Sequence, residues 1–485
     1  MNMKRGHALS LIRTLTVVAA LSYAGAACAG AAAPIAAGGT AAPDPRTPPV
    51  STAAPDPASP AADMRVSVPI YDRDYPFIDY GGTPVHNQVA RLLEKLRRGG
   101  VQLKYEGKGG YLASLLAALD IDPASQVLVF SKTSLQIDHI SPQTPRAVYF
   151  NDDTYIGYVQ ESGFMEVATM DADRGAVFYG FNTMAGEAHG YHLDREAQRC
   201  LSCHDTFAES GGGVPDFMFE SAYDLRGTEV IFGDSAHETA ADTPIEERWG
   251  GWYVTGTDGG AFSLGNVLPP EAAGTVIQLP RSKVYRGAQH SLTALFDPSP
   301  YLTGTSDIVA LLVLQHEVAV HNAMIHAYYK CRYLLAADSG LGVNAHWREL
   351  PAPLQARMAA VIEPLAVSFL MADAAPLAAP VAGDSGYAEH FQARGPRDPA
   401  RRSLRELELR TRLFKYPMSY LVYSESFDAL PVSIRERLYA RFFEVLSGRD
   451  RSGPYAKLGT AERTAALEIL RATKPDFALA AVRTD

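Results

Sequence analysis

From about residue 66 to 300 the apolar positions come in short runs rich in β-branched and aromatic residues: "QVLVF" at 126, "AVYF" at 147, "YIGYV" at 155, "AVFYGF" at 176, "EVIF" at 229, "WYVTG" at 252 and "VIQL" at 276. Turn clusters such as "NDD" at 151 and "TDGG" at 257 separate them, which predicts a series of short strands. One stretch in this region, Tyr111 to Asp120 ("YLASLLAALD"), has the 3.6-residue period of an amphipathic helix. "LDREAQRCLSCH" reads as a second, short helix.

After about residue 303 the period becomes helical throughout. A run of 33 residues from Ser306 to Asp338 starts with cap-type residues and is apolar on nearly every side, as expected of a buried helix. "SIRERLYARFFEVLSG" carries Ser433 three residues before Glu436, the spacing of a capping box, and Gly448 as a stop. Further helices are expected at 351–372, with Pro364 kinking or splitting the run, at 403–415 and at 460–472. The fold class that follows is α+β: a strand-rich half over 66–302, then an all-α half over 303–485 that packs on it.

The first 65 residues read differently. Residues 1–29 combine a basic start (Lys4, Arg5, Arg13), an apolar run and small residues around Ala27 to Ala29, the pattern of a secretory signal peptide. The apolar stretch is short for a spanning helix, so cleavage after Ala29 would leave no membrane span and a periplasmic protein. Lipoprotein anchoring through Cys28 fits less well, because Gly25 stands where such signals carry leucine. Residues 30–65 are almost all Ala, Pro, Gly, Ser and Thr and read as an extended linker. Loss of the signal's three cations takes the net charge from -10 to -13, which argues against nucleic acid as a partner.

The chemistry concentrates in "RCLSCHDT". Cys200, Cys203 and His204 have the CxxCH spacing that attaches haem covalently: two thiols one turn apart form thioethers, and the adjacent imidazole reaches the iron. A structural zinc site would need a second pair of ligands, and the sequence contains no other CxxC. A thioredoxin-like pair would need neither the histidine nor this strand-rich setting. The chain has four cysteines; with Cys28 in the signal and two at the motif, Cys331 is left over and reads as a buried small hydrophobe. The expected cofactor is therefore one covalent haem c, with His204 as proximal ligand. Pro215, in "GVP" beyond the motif, resembles the proline-containing loop of small c-type cytochromes, a likeness that implies a backbone carbonyl offered to the ligand's other ring nitrogen.

The sixth iron position decides what such a haem does. No methionine occurs between Met218 and Met324, which leaves the histidines of the long helix, His316, His321 and His326. Their five-residue spacing turns each about 140° from the last, so they cannot converge on one metal. His321, beside Asn322, is the first candidate and His316 the second; His189 and His192 stand behind them. Glu317 is a weak candidate for proton handling. "HEVAVH" is HExxxH, so the one-face zinc geometry of HExxH is not met.

The strings "VLVFSKTSLQ", "ISPQTPRAVYFNDDTYIGYV", "CLSCH" with "GVP", "ERWGGWYVTGTDGG", "SDIVALLVLQHEVAVHN" and "LFKYPMSYLVYSESFDALP" together resemble a group of exported bacterial c-type cytochrome proteins of undetermined function. The resemblance spans about 100 to 475 and implies a single-haem unit integrated with both halves; it supplies neither a substrate nor catalytic residues. Two function classes follow. One is a periplasmic monohaem cytochrome working in electron transfer or as a haem-dependent oxidoreductase, with a redox partner or a small-molecule substrate. The other is a haem-based sensor or binding protein for a small ligand. Roughly a hundred residues suffice to wrap one haem, and this fold is several times larger, which argues against a bare carrier.

Overall fold

Alternation of large side chains about the pleat builds the first layer. Strands β1 (Val127–Val129), β2 (Arg146–Phe150), β3 (Thr154–Tyr158), β4 (Phe164–Asp171), β5 (Gly175–Thr183) and β6 (Tyr191–Arg195) form an antiparallel sheet in sequence order. The structure, a computed structural model, describes residues 75, 77–82, 84–107, 109–183, 190–205, 213–269, 277–284, 286–338 and 341–482. The signal and linker calls lie outside them. All described residues belong to one compact unit, Asp63–Asp485.

Register fixes which side chains share a face. Tyr149, Ile156, Val167 and Tyr179 form one cross-strand row, packed with helices α1 (Gln88–Arg97) and α2 (Leu112–Ala118) in one core. Phe150, Tyr155, Ala168 and Phe178 form a row on the opposite face and belong to a second core, shared with the helical half. A smaller antiparallel sheet follows, β7 (Glu220–Arg226), β8 (Glu229–Glu238) and β9 (Ile277–Pro280).

The helical half is organised around α4 (Ile308–Asp338). Asp307 caps it, its Oδ1 accepting from the amides of Val309 and Ala310. By length and composition α4 could cross a membrane, but 83% of its most apolar window is buried inside the fold. It packs on α5 (Ala352–Phe369) and on β5, which makes it the element joining the halves. Helices α6 (Val432–Leu446), α7 (Thr460–Thr473) and α8 (Pro475–Val482) complete this layer.

The α+β division with strands first and helices second is the observed one. Several local expectations differ. Residues 403–415 are not helical: Leu407 bridges Phe414, and Arg405 is drawn inward onto Asp152 and over the ring of Tyr420, a tertiary pairing that overrides helix propensity. "WYVTG" makes isolated bridges only, such as Trp252 to Val129. Leu193–Arg195 belongs to β6, so the motif helix is α3, Ala197–His204. Ser433 is no cap: α6 starts after Pro431, and Glu436 accepts instead from the Trp347 amide and pairs with His346. Pro364 lies within a continuous α5, whose Ile362, Leu365 and Phe369 are buried. Helix α1, capped by Asn87, and strands β4, β6 and β7 were not among the expected elements.

Candidate cofactor-attachment site

Strand β6 ends when the Glu196 amide donates to the Phe178 carbonyl, and the chain turns at once into α3. Its central Leu201 is fully buried in the second core and anchors the helix to the sheet. At about 100° per residue, Cys200, Cys203 and His204 fall within an arc of about 100° on α3, and Leu201 lies about 60° beyond His204, at the edge of that arc. Cys200 is half-buried, Cys203 is exposed, and neither is in a disulfide. Burial pushes the Cys200 thiol up to about 12, with the charges of Glu166 and Glu196 adding to the effect. That environment is the reverse of the electropositive one that makes a cysteine a reactive thiolate.

His204 is held on two sides. Its Nδ1 donates to the Asp216 carbonyl at 2.7 Å, and the Asp216 amide donates back to the His204 carbonyl at 2.9 Å. Its ring lies against Phe178, centroids 4.5 Å apart. Burial lowers the pKa of His204, opposed by the Asp216 carbonyl, so the imidazole is neutral. With Nδ1 carrying the proton, Nε2 presents a lone pair, the tautomer a metal ligand requires. The carbonyl is that of the residue after Pro215, in the loop expected to supply it.

The loop is clasped by α4. Asn322 pairs with the Phe217 backbone both ways, Oδ1 accepting from the amide at 2.9 Å and Nδ2 donating to the carbonyl at 2.8 Å. One turn on, His326 Nε2 reaches Asp216 Oδ2 at 2.7 Å. Burial raises the Asp216 carboxyl and the His326 bond opposes it; Asp216 Oδ1 is buried with no partner among the described residues. The same helix also holds the β4–β5 turn: Tyr328 and Tyr329 donate to the carbonyls of Asp173 and Arg174, and Ile325 packs against Gly175. Asp216 and Asn322 are the functional neighbours that sequence reasoning missed; the signal available was the i, i+4 spacing of Asn322 and His326 on a buried helix.

The other expected site residues lie further along α4. His321 is completely buried, with Nδ1 hydrogen-bonded to the Tyr155 hydroxyl at 2.6 Å. A chain of aromatic rings runs from it to the motif: Phe217 touches His321, Phe178 touches Phe217, and His204 touches Phe178. His316 points to another side of the helix, its Nε2 on Ser419 Oγ at 2.8 Å and its ring against Phe414. Burial lowers both imidazoles to about 3, so both are neutral. Glu317 accepts from the Tyr420 hydroxyl through Oε1, while its buried Oε2 has no partner among the described residues. Burial holds its carboxyl well above the usual range, reinforced by Asp152 and opposed by Tyr420 and Arg405. His192 is exposed on β6, and His189 lies outside the described residues.

Among the described residues, no group of three or more His, Cys, Asp or Glu side chains has an arrangement that would hold a metal ion. Compared with known proteins, the chain matches no family model, no curated protein and no solved structure. The site therefore has to be read from its own chemistry. Two thiols on one side of a short helix and a neutral histidine with its outer nitrogen available suit a cofactor that is bonded through sulfur and ligated through nitrogen.

Proposed function

We propose that the chain is a periplasmic monohaem c-type cytochrome, serving electron transfer or a haem-dependent oxidation or reduction, and that it belongs with the exported cytochrome c proteins it resembles in sequence. The observation that carries this reading is the bond from His204 Nδ1 to the Asp216 carbonyl. A thioredoxin-type pair would have no use for a histidine held in that tautomer.

Cys200 and Cys203 would hold the porphyrin by thioether bonds and His204 would ligate the iron; the group supplies a one-electron couple and a site for small ligands. The Asp216 carbonyl fixes the imidazole ring and raises its basicity. Phe178 excludes water from one side of that ring. Asp216, Phe217 and the α4 side chains hold the loop still, so the ligand is positioned before the cofactor arrives. Of the two sixth-ligand candidates, His321 would be the first to test: it lies on the side of α4 that meets Phe217, with the Phe217 and Phe178 rings between it and His204, whereas His316 faces the helical layer.

Low-temperature electron paramagnetic resonance of the ferric protein and of His321→Gln and His316→Gln tests this. A low-spin signal that becomes high-spin in His321→Gln is the expected result if the sixth position is filled from α4. A high-spin signal in the parent would mean a water-bound or open iron and an enzymatic or sensing role. A protein matured beside other c-type cytochromes that gives no haem signal would overturn the proposal.

A second reading, a haem-based sensor of a small ligand, is favoured by the clasp itself. A shift of the loop at Asp216 and Phe217 would be felt by His326 and Asn322, hence by the buried helix on which the other helices pack. Turnover with a reductant separates the enzyme from the sensor, which would show ligand binding and a structural change without turnover.

A further inference from the structure

One side of α4 borders a cavity of about 290 Å³. Leu312, Gln315, His316, Ala319 and Val320 line it, which are i, i+3, i+4, i+7 and i+8 of one helical face; the end of α5 and the 411–417 segment close the opposite wall. The walls are largely apolar, and the volume is at the lower edge of the range for small-molecule sites, about 300–1,000 Å³.

One wall carries a cation. Arg248 is 6% exposed, and its Nε, Nη1 and Nη2 donate to the Thr243 carbonyl, Gln315 Oε1 and the Ala241 carbonyl at 2.8–2.9 Å. All three acceptors are neutral. Among the described residues no carboxylate stands within ion-pair distance of it; the exposed Asp242 acts on it only through its field. A buried guanidinium without an anion is costly, and buried charges are ordinarily paired. Three bonds use three of its five N–H groups, which leaves one on Nη1 and one on Nη2, a match in number for the two oxygens of a carboxylate. Lys457 and Arg412 add positive charge at the lining, partly offset by Glu462, which Arg412 contacts at 3.2 Å. His316 adds none, since burial keeps it neutral.

We propose that this cavity binds an apolar monocarboxylate, a fatty or aryl acid, with its chain along the α4 face and its carboxylate on Arg248. The proposal does not rest on the haem reading, and neither the CxxCH motif nor the loop that holds His204 takes part in it. The binding is reversible and involves no bond change in either molecule.

Titration calorimetry of the full chain with octanoate, 3-phenylpropionate and octanamide tests it. The expected result is one site per chain, with octanoate or 3-phenylpropionate bound roughly tenfold or more tighter than the amide, as a charge-assisted bond to a buried partner implies. The stronger of the two acids identifies the class as alkyl or aryl. Arg248→Gln should bring the acid down to the level of the amide. Ala319→Phe, which fills the cavity and spares Arg248, should abolish binding of all three; it carries the test if Arg248→Gln does not fold. Equal affinity for octanoate and octanamide, binding unchanged in Ala319→Phe, or no binding at millimolar ligand would overturn the proposal.

Discussion

Asn322→Leu removes the polar groups that tie the motif loop to α4 while keeping the same number of side-chain heavy atoms, branched at the same carbon, at a site 8% exposed. Two hydrogen bonds disappear, leaving the amide and the carbonyl of Phe217, itself 4% exposed, without partners. An unsatisfied buried group of this kind costs about 1–3 kcal/mol, so the pair costs about 2–6 kcal/mol if the loop stays in place. A loss near the lower figure would leave the protein folded, because domains of this kind carry about 5–15 kcal/mol. At the upper figure the loop would instead swing out to solvent, and the Asp216 carbonyl would leave His204 with it. Urea unfolding reads the first outcome as a lower midpoint at unchanged slope. Hydrogen exchange reads the second as lost protection at the Phe217 amide. An unchanged midpoint together with an equally protected Phe217 amide would refute the clasp.

Glu317→Gln should be close to neutral at low pH, since Gln can accept the Tyr420 hydroxyl bond as the protonated acid does. The raised carboxyl means that stability is fully present below the ordinary glutamate value, about 4.3, and is lost as pH rises toward the folded value; the variant should therefore lose less than the parent between pH 5 and 8 in chemical unfolding. His321→Gln addresses the acid side: with its imidazole lowered to about 3, the parent loses stability as pH falls from the ordinary histidine value of about 6.5 toward 3, and the variant should show a shallower slope over that window. Gly175→Ala adds a Cβ 2.8 Å from Ile325 Cγ2 at a backbone φ of +73°, so left-handed strain of about 1–2 kcal/mol and overpacking against α4 should lower the melting temperature; an unchanged value would mean that the β4–β5 turn is not seated on the helix.

Much of this was legible in the sequence because its cause is local. Runs such as "AVYF" and "AVFYGF" read as strands since β-branched and aromatic residues suit a half-buried pleat, and β2 and β5 fall where those runs do. Strand β4 did not stand out: Glu166 and Thr169 interrupt its apolar residues, and Glu166 is accommodated by Arg146, Ser134 and the Leu135 amide from other segments. The helix expected at 403–415 failed for the same kind of reason, since Arg405 serves a partner more than two hundred residues away. At the site, spacing pointed to Cys200, Cys203 and His204, and likeness to small c-type cytochromes pointed to the loop near Pro215. The clasp was not, because which side of a uniformly apolar helix meets the loop is decided by packing on the sheet. The five-residue spacing of the α4 histidines did foretell their separation: His316 faces Ser419, His321 faces Tyr155 and His326 faces Asp216.

The central claim is covalent haem at Cys200 and Cys203. The most direct test is the intact mass of the denatured protein after export in cells that mature c-type cytochromes, compared with Cys200→Ser/Cys203→Ser. The expected result is one haem retained per chain through denaturation in the parent and none in the double variant. A parent chain of apoprotein mass, from cells whose other c-type cytochromes are fully loaded, would contradict the account.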